Sequence, residues 1–316
     1  MRLTPISRAI DLRLARDLPA PRPGGMPLLR QGAVLTSAFV DALARQGINA
    51  VWVEDELSEG IEPVELMSEA VRSQMATRVH GALRDAQRSL ARGQPMPVAV
   101  LDEVASIVEK IARSIADSPD ASLALSDLAA AAQYTHRHSV NVTALGLLLG
   151  RTIYRREGWV DYRGARRFDG IESRVALLGM GLLLHDVGKI AIPAAVLNKP
   201  GALDEGEWEL MRTHPDAGVA LLRSDTISPL VKSVVRDHHE RWDGSGYPRG
   251  LEGHRISHFA QIAAVADVYD AVVSARPYKA AAPAHVGVSV IAKGSGRFFS
   301  ASVVEAFLRV VMPYPV

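Results

Sequence analysis

The sequence predicts a mainly α fold, in which a helical-bundle domain follows a small α+β N-terminal domain. Three observations lead there. Apolar residues recur at helical intervals from Val64 onward, no apolar–polar alternation of any length follows that point, and the strand-like run at residues 50–53 precedes it.

In chain order, an Arg- and Pro-rich lead-in gives way to a short apolar stretch from Met26, a turn at Gln31-Gly32, a helical piece at 36–46, a break at Gly47 and the strand at 50–53. An acidic run from Glu54 to Glu69 reads as a solvated face or linker. A helical pattern covers 64–91 and breaks at 93–97. The next helix carries Val100, Val104, Ile107, Val108, Ile111 and Ile115 on one stripe and ends at Ser118-Pro119-Asp120. Ser126 can cap a short helix, 134–155 is a long one, and 173–187 is strongly apolar and closes at Gly188. Asp204 with Glu207 makes a capping box for a helix through Arg212, interrupted by Pro215. Ser228-Pro229 starts a helix that runs to His238-His239, and 256–274 forms another. The expected division is an α+β domain at 1–62, a helical linker at 63–125 and an all-α domain at 126–316.

Composition narrows the chemistry. With 36 Lys+Arg against 35 Asp+Glu, the net charge of +1 provides no global field for binding a nucleic-acid polymer. The absence of cysteine leaves histidine and carboxylate as metal ligands. The N-terminus has no continuous apolar segment, and the apolar run at 175–184 is too short to span a bilayer, so a cytoplasmic protein without membrane insertion is expected.

His138, His185-Asp186, His214, His238-His239 and Asp267 fall on successive predicted helices or at their ends. Neighbouring helical residues diverge by about 100°, so such a doublet can serve two adjacent ions, or one carboxylate can bridge both. Burying His185 and Asp186 behind an apolar helix costs several kcal/mol unless they are paired or coordinate metal.

Thr135 to Val142, His185-Asp186-Val187-Gly188-Lys189, His214-Pro215-Asp216-Ala217-Gly218, the run from His238-His239 through Asp243-Gly244-Ser245-Gly246-Tyr247-Pro248, Asp267-Val268-Tyr269-Asp270 and Arg276-Pro277-Tyr278-Lys279 together resemble the HD-GYP branch of the HD phosphohydrolase superfamily. The resemblance covers roughly residues 126–316. It implies that His138, His185, Asp186, His214, His238, His239 and Asp267 hold two divalent transition-metal ions, with Asp186 bridging. Iron or manganese is implied first, with nickel, cobalt and zinc also compatible with imidazole and carboxylate. It implies hydrolysis of cyclic di-GMP, or a related cyclic dinucleotide, by a metal-bridged hydroxide to 5′-pGpG in bacterial second-messenger signalling. It implies catalytic roles for Asp186 and Lys189, and substrate contacts from Lys189, Tyr247, Arg276 and Lys279. A signalling protein partner or a homodimer is the expected assembly.

The chain departs from the family at Tyr134, where members with a third metal have glutamate; Ala131, Ala132 and Gln133 offer no substitute, which predicts two metals and pGpG as main product. Gln261 and Ser300 read as structural variation, and His80, His254, His258 and His285 as surface or capping residues. The N-terminal domain weakly resembles the small domain that often precedes this family. A binding protein with poor turnover is the main alternative reading, ahead of a mononucleotide phosphatase.

Overall fold

The computed structural model describes residues 2–18, 26–45, 48, 50–54, 67, 69–116, 134–161, 163–199, 201–223, 227–274 and 282–311. In the N-terminal part, β1 (Arg2–Pro5), β2 (Arg13–Leu14), α1 (Ser37–Arg45) and β3 (Ala50–Glu54) make an α+β unit, its antiparallel sheet ordered β1-β3-β2. Val53 is the centre of the register, facing Arg2 on one side and Leu14 on the other. Ile6, Leu14, Leu35, Val40, Leu43, Val51 and Val53 form a core of its own. Two of the three strands lie in the segment read as an irregular lead-in. At four and two residues they are too short to show alternation, and arginine opens each.

The remaining elements are α2 (Glu69–Leu90), α3 (Val98–Ala116), α4 (Tyr134–Glu157), β4 (Trp159–Val160), β5 (Arg166–Arg167), α5 (Ile171–Leu184), α6 (Ala194–Leu197), α7 (Glu205–Met211), α8 (His214–Leu221), α9 (Pro229–Asp237), α10 (His258–Val273), α11 (Ala284–Lys293) and α12 (Ala301–Val310). The small β4–β5 hairpin corrects the expectation of a strand-free second half; each strand has only two residues, so no pattern announces it. Helix α4 packs against α5, α10, α2 and α12, and α5 also packs against α9 and α3. All six stripe residues of α3 are buried. Segment 63–125, expected as a linker, contributes Met75, Val79, Val104, Ile107 and Ile111 to the same apolar core as α4 and α5. The short helix at Ser126 and most of the acidic run lie outside the described residues.

Local signals set the ends of the site-bearing helices. The Asp204 side chain accepts from the backbone N–H of Glu207, whose own carboxylate returns the bond, and this box starts α7. Ser228 and Ser257 cap α9 and α10. Helix α5 ends earlier than expected, at Leu184, and the chain tightens into a 3-10 turn at Val187–Ala191. Gly188 therefore does not close the helix. It permits close approach, because a Cβ there would overlap the carbonyl oxygen of His214 and the amide nitrogen of Gly218.

Candidate metal centre

The end of α5, the first residue of α8 and the end of α9 meet α4 and α10 at one point, and there the chain brings together all seven expected ligands. Asp186 sits between two groups of imidazoles. Its Oδ1 lies 3.4 Å from Nε2 of His214 and 3.8 Å from Nε2 of His238, while its Oδ2 lies 3.4 Å from Nε2 of His185 and 3.8 Å from Nε2 of His138. Two sets of ligand atoms close enough to hold a cation share this carboxylate: Asp186, His214, His238 and His239 in one, and His138, His185 and Asp186 in the other. Asp267 spans the far side, 3.2 Å from Nε2 of His138 and 3.9 Å from Nδ1 of His239.

Second interactions aim the rings. Nδ1 of His185 donates to the carbonyl of Leu182 at 2.7 Å, Nδ1 of His214 to that of Met211 at 2.8 Å, and Nδ1 of His238 to those of Val234 and Val235 at 3.1 Å. With the proton held on Nδ1, each Nε2 turns a lone pair toward the centre, the tautomer a metal ligand needs. Backbone carbonyls at helix ends supply these acceptors, which is why the ligands sit in the last or first turns of α5, α8 and α9.

Charge follows the same plan. Burial alone would push the carboxyls of Asp186 and Asp267 up, yet both are held well below the usual value, Asp186 chiefly by Lys189 and His185 and Asp267 chiefly by His138. Burial pushes His214 and His238 down, and takes His239 down to about 3. His138 is the exception: burial disfavours its charge, but Asp267 and Asp270 outweigh that and hold it at about 9. Anionic carboxylates beside neutral imidazoles are the protonation state from which a cation binds.

The donors fit a metal on a second ground. Nε2 of His185 and Oδ1 of Asp186 are buried without a hydrogen-bond partner. An orphaned imidazole lone pair and carboxylate oxygen facing one space cost free energy that coordination would recover. Histidine with aspartate and no thiolate suits a divalent transition ion.

The other expected residues divide. Lys189 donates to Oδ2 of Asp186 at 2.6 Å, so its charge is directed at the shared carboxylate. Tyr247, expected as a substrate contact, stacks its ring on His239, 4.7 Å between centroids, and the guanidinium of Arg212 lies over it 5.5 Å from the centroid. Arg276 and Lys279 lie outside the described residues, as do Ala131, Ala132 and Gln133. His80, His254 and His285 are exposed, as expected, whereas His258 is half-buried against the Tyr154 ring.

Three contributors went unassigned in the sequence. Asp270, fully buried, accepts from Nδ1 of His138 at 2.6 Å, from Nδ2 of Asn141 at 2.9 Å and from Oγ of Ser274 at 2.8 Å. The i, i+3 spacing of Asp267 and Asp270, mirrored by His138 and Asn141, was the signal available: both pairs put two polar groups on one buried face. Glu240 accepts from the backbone N–H groups of Arg249 and Leu251, at 2.7 and 2.9 Å, and closes the loop that carries Tyr247. Gly246 lets that loop fold back, since a Cβ would meet the backbone of Glu240 and Arg241.

Residues 166–303 match a family described as HD domain. A cyclic di-GMP phosphodiesterase of Pseudomonas aeruginosa is 37% identical over 243 residues, covering 77% of this chain and 54% of that protein. A 3′3′-cGAMP-specific phosphodiesterase of Vibrio cholerae is 44% identical over 110 residues, covering 34% of this chain and 21% of that protein. The chain thus spans about half the length, or less, of these curated relatives. A solved HDG"Y"P protein from Bdellovibrio bacteriovorus shares the fold with a TM-score of 0.57 at 13% identity, covering 98% of this chain and 99% of that one.

Proposed function

We propose, from the match of residues 166–303 to the HD-domain family and the motifs that resemble HD-GYP, that the chain is a phosphodiesterase that hydrolyses a cyclic dinucleotide, cyclic di-GMP first. The observation that carries this reading is the split of the Asp186 carboxylate, one oxygen toward His214 and His238 and the other toward His138 and His185. One carboxylate between two donor sets is what a binuclear centre requires. His138, His185, Asp186, His214, His238, His239 and Asp267 would hold two ions, iron or manganese in the first instance. When bound, such a pair lowers the pKa of water toward neutrality and neutralises phosphate charge.

Each residue then has a defined task. Asp186 and Asp267 hold the negative charge that retains the cations, and the backbone-anchored imidazoles keep their lone pairs on target. Lys189 places a positive charge at the edge of the centre, where charge on the phosphoryl oxygens is redistributed during attack. Water adds to phosphorus, the bond from phosphorus to the 3′-oxygen breaks, and that oxygen leaves with a proton as a hydroxyl. The product is the linear 5′-phosphorylated dinucleotide, 5′-pGpG from cyclic di-GMP. With Tyr134 at the position of the third-metal glutamate, the linear dinucleotide is the main product and GMP at most a minor one. The setting is cytoplasmic second-messenger signalling, with a signalling protein partner or a second copy as the assembly.

Arg276 and Lys279 are assigned to the phosphate away from the metals, on the family motif. Arg276→Ala is therefore expected to raise KM for cyclic di-GMP with less change in kcat. The function is tested by reconstituting the protein with Mn(II) or Fe(II) without oxygen and following cyclic di-GMP by chromatography. Steady release of pGpG supports the reading; tight binding with no turnover favours a receptor.

A further inference from the structure

Arg212 ends α7 two residues before His214, its backbone N–H bonded to the carbonyl of Trp208 at 3.0 Å, so its Cα is fixed to the frame that positions a candidate ligand. The side chain is exposed, lies over the Tyr247 ring and makes no ion pair among the described residues. His239, Tyr247 and Arg212 thus form a stack that leads from the candidate metal centre to solvent and ends in a cation. The arginines of the Tyr247 loop are occupied differently: Arg241 lies over Phe298, 4.7 Å from its centroid, beside Arg297, and Arg249 pairs with Asp237 at 2.7 Å.

A guanidinium fixed by one face keeps its edge N–H groups free, and they form a fork that suits two phosphate oxygens. Stacking also removes part of the rotamer freedom that an exposed arginine would lose on binding an anion. The Tyr247 ring, covered by His239 and Arg212, serves as the shelf on which the cation rests. We propose that Arg212 is a substrate-binding residue that grips the phosphate of the cyclic dinucleotide not engaged by the metals, and that Tyr247 is its positioning residue. This rests on the phosphodiesterase reading for the identity of the ligand, and it adds a contact apart from Arg276 and Lys279.

The test compares the metal-reconstituted wild type with Arg212→Ala and Arg212→Lys on three substrates: cyclic di-GMP, 3′3′-cGAMP and bis(p-nitrophenyl) phosphate, which has no second phosphate. Binding of cyclic di-GMP to the chelator-treated protein is measured alongside by calorimetry. For Arg212→Ala the ratio of kcat/KM on either cyclic dinucleotide to that on the small diester falls about tenfold, the scale of one charge-assisted hydrogen bond, mostly through KM. Arg212→Lys falls between the two. Binding in the calorimeter weakens by a similar factor. Equal losses on all three substrates would overturn the proposal, placing Arg212 in the support of His239. A loss confined to one of the two dinucleotides would overturn it in favour of base recognition. Should wild type bind cyclic di-GMP without hydrolysing it, the phosphodiesterase reading fails, and the calorimetric comparison still decides the role of Arg212. No binding by wild type overturns both.

Discussion

Asp270 accepts the Nδ1 proton of His138 at 2.6 Å, across 132 residues of chain, and also holds Asn141 and Ser274. A buried carboxylate behind a ligand histidine fixes the ring and raises its basicity. Asp270→Asn is expected to leave the helical content intact while weakening metal binding by about 10–100-fold. Chelator competition followed by elemental analysis measures this; unchanged affinity would reduce Asp270 to a packing residue.

Asp186 serves both donor sets, and His185 only one. In Asp186→Ala both cations are expected to go together, whereas His185→Ala keeps about one of two. Metal content per chain after anaerobic purification checks this, and full occupancy in Asp186→Ala ends the bridging assignment. Stripping the metal from wild type with a chelator should abolish turnover, and manganese should restore it.

Gly188 lies against the His214 carbonyl and the Gly218 amide with no room for a methyl group. Gly188→Ala must push the 3-10 turn away from α8, at a cost of about 1–3 kcal/mol or more. Urea unfolding reads this as a lower midpoint, with metal content falling because the turn carries the Asp186 end of the site.

His258 is pushed down to about 4 by burial and by Arg174, from an ordinary value of 6.5. The unfolded chain takes up that proton before the folded one does, so the contribution of the neutral ring is complete above pH ~6.5 and is lost as pH falls toward ~4. Substituting phenylalanine keeps a ring against Tyr154 and removes the titration. The loss of stability between pH 7 and 4.5 should be smaller in His258→Phe than in wild type. Parallel pH curves for the two proteins would count against this assignment.

Chemistry was easier to read in the sequence than geometry. The candidate ligands were legible as a group because imidazole and carboxylate doublets at the ends of apolar helices have few other uses, with His185-Asp186 behind residues 175–184 the plainest case, and the family resemblance completed the set. Asp270 stood one turn from Asp267, a spacing that marks a shared face but not a role, since a carboxylate one turn from a ligand looks the same whether it binds metal, orients a ring or faces water. Arg212 read only as the end of a capped helix, and packing alone puts it over the Tyr247 ring. Strands β1 and β2 were hidden for another reason: the pairing partner, β3, does the selecting, and two to four residues hold too little pattern to declare it.

The bond between His138 and Asp270 also orders events as the protein is made. Helix α4 emerges from the ribosome long before α10, and until α10 arrives the Asp270 carboxylate that accepts the Nδ1 proton of His138 is missing. Contacts so far apart in sequence are entropically expensive to close and tend to form late. A nascent chain that stops short of residue 258 keeps the backbone-anchored rings of His185, His214 and His238 but lacks the Asp267 and Asp270 carboxylates, so a stalled or clipped product is expected to compete for metal less well than the finished domain.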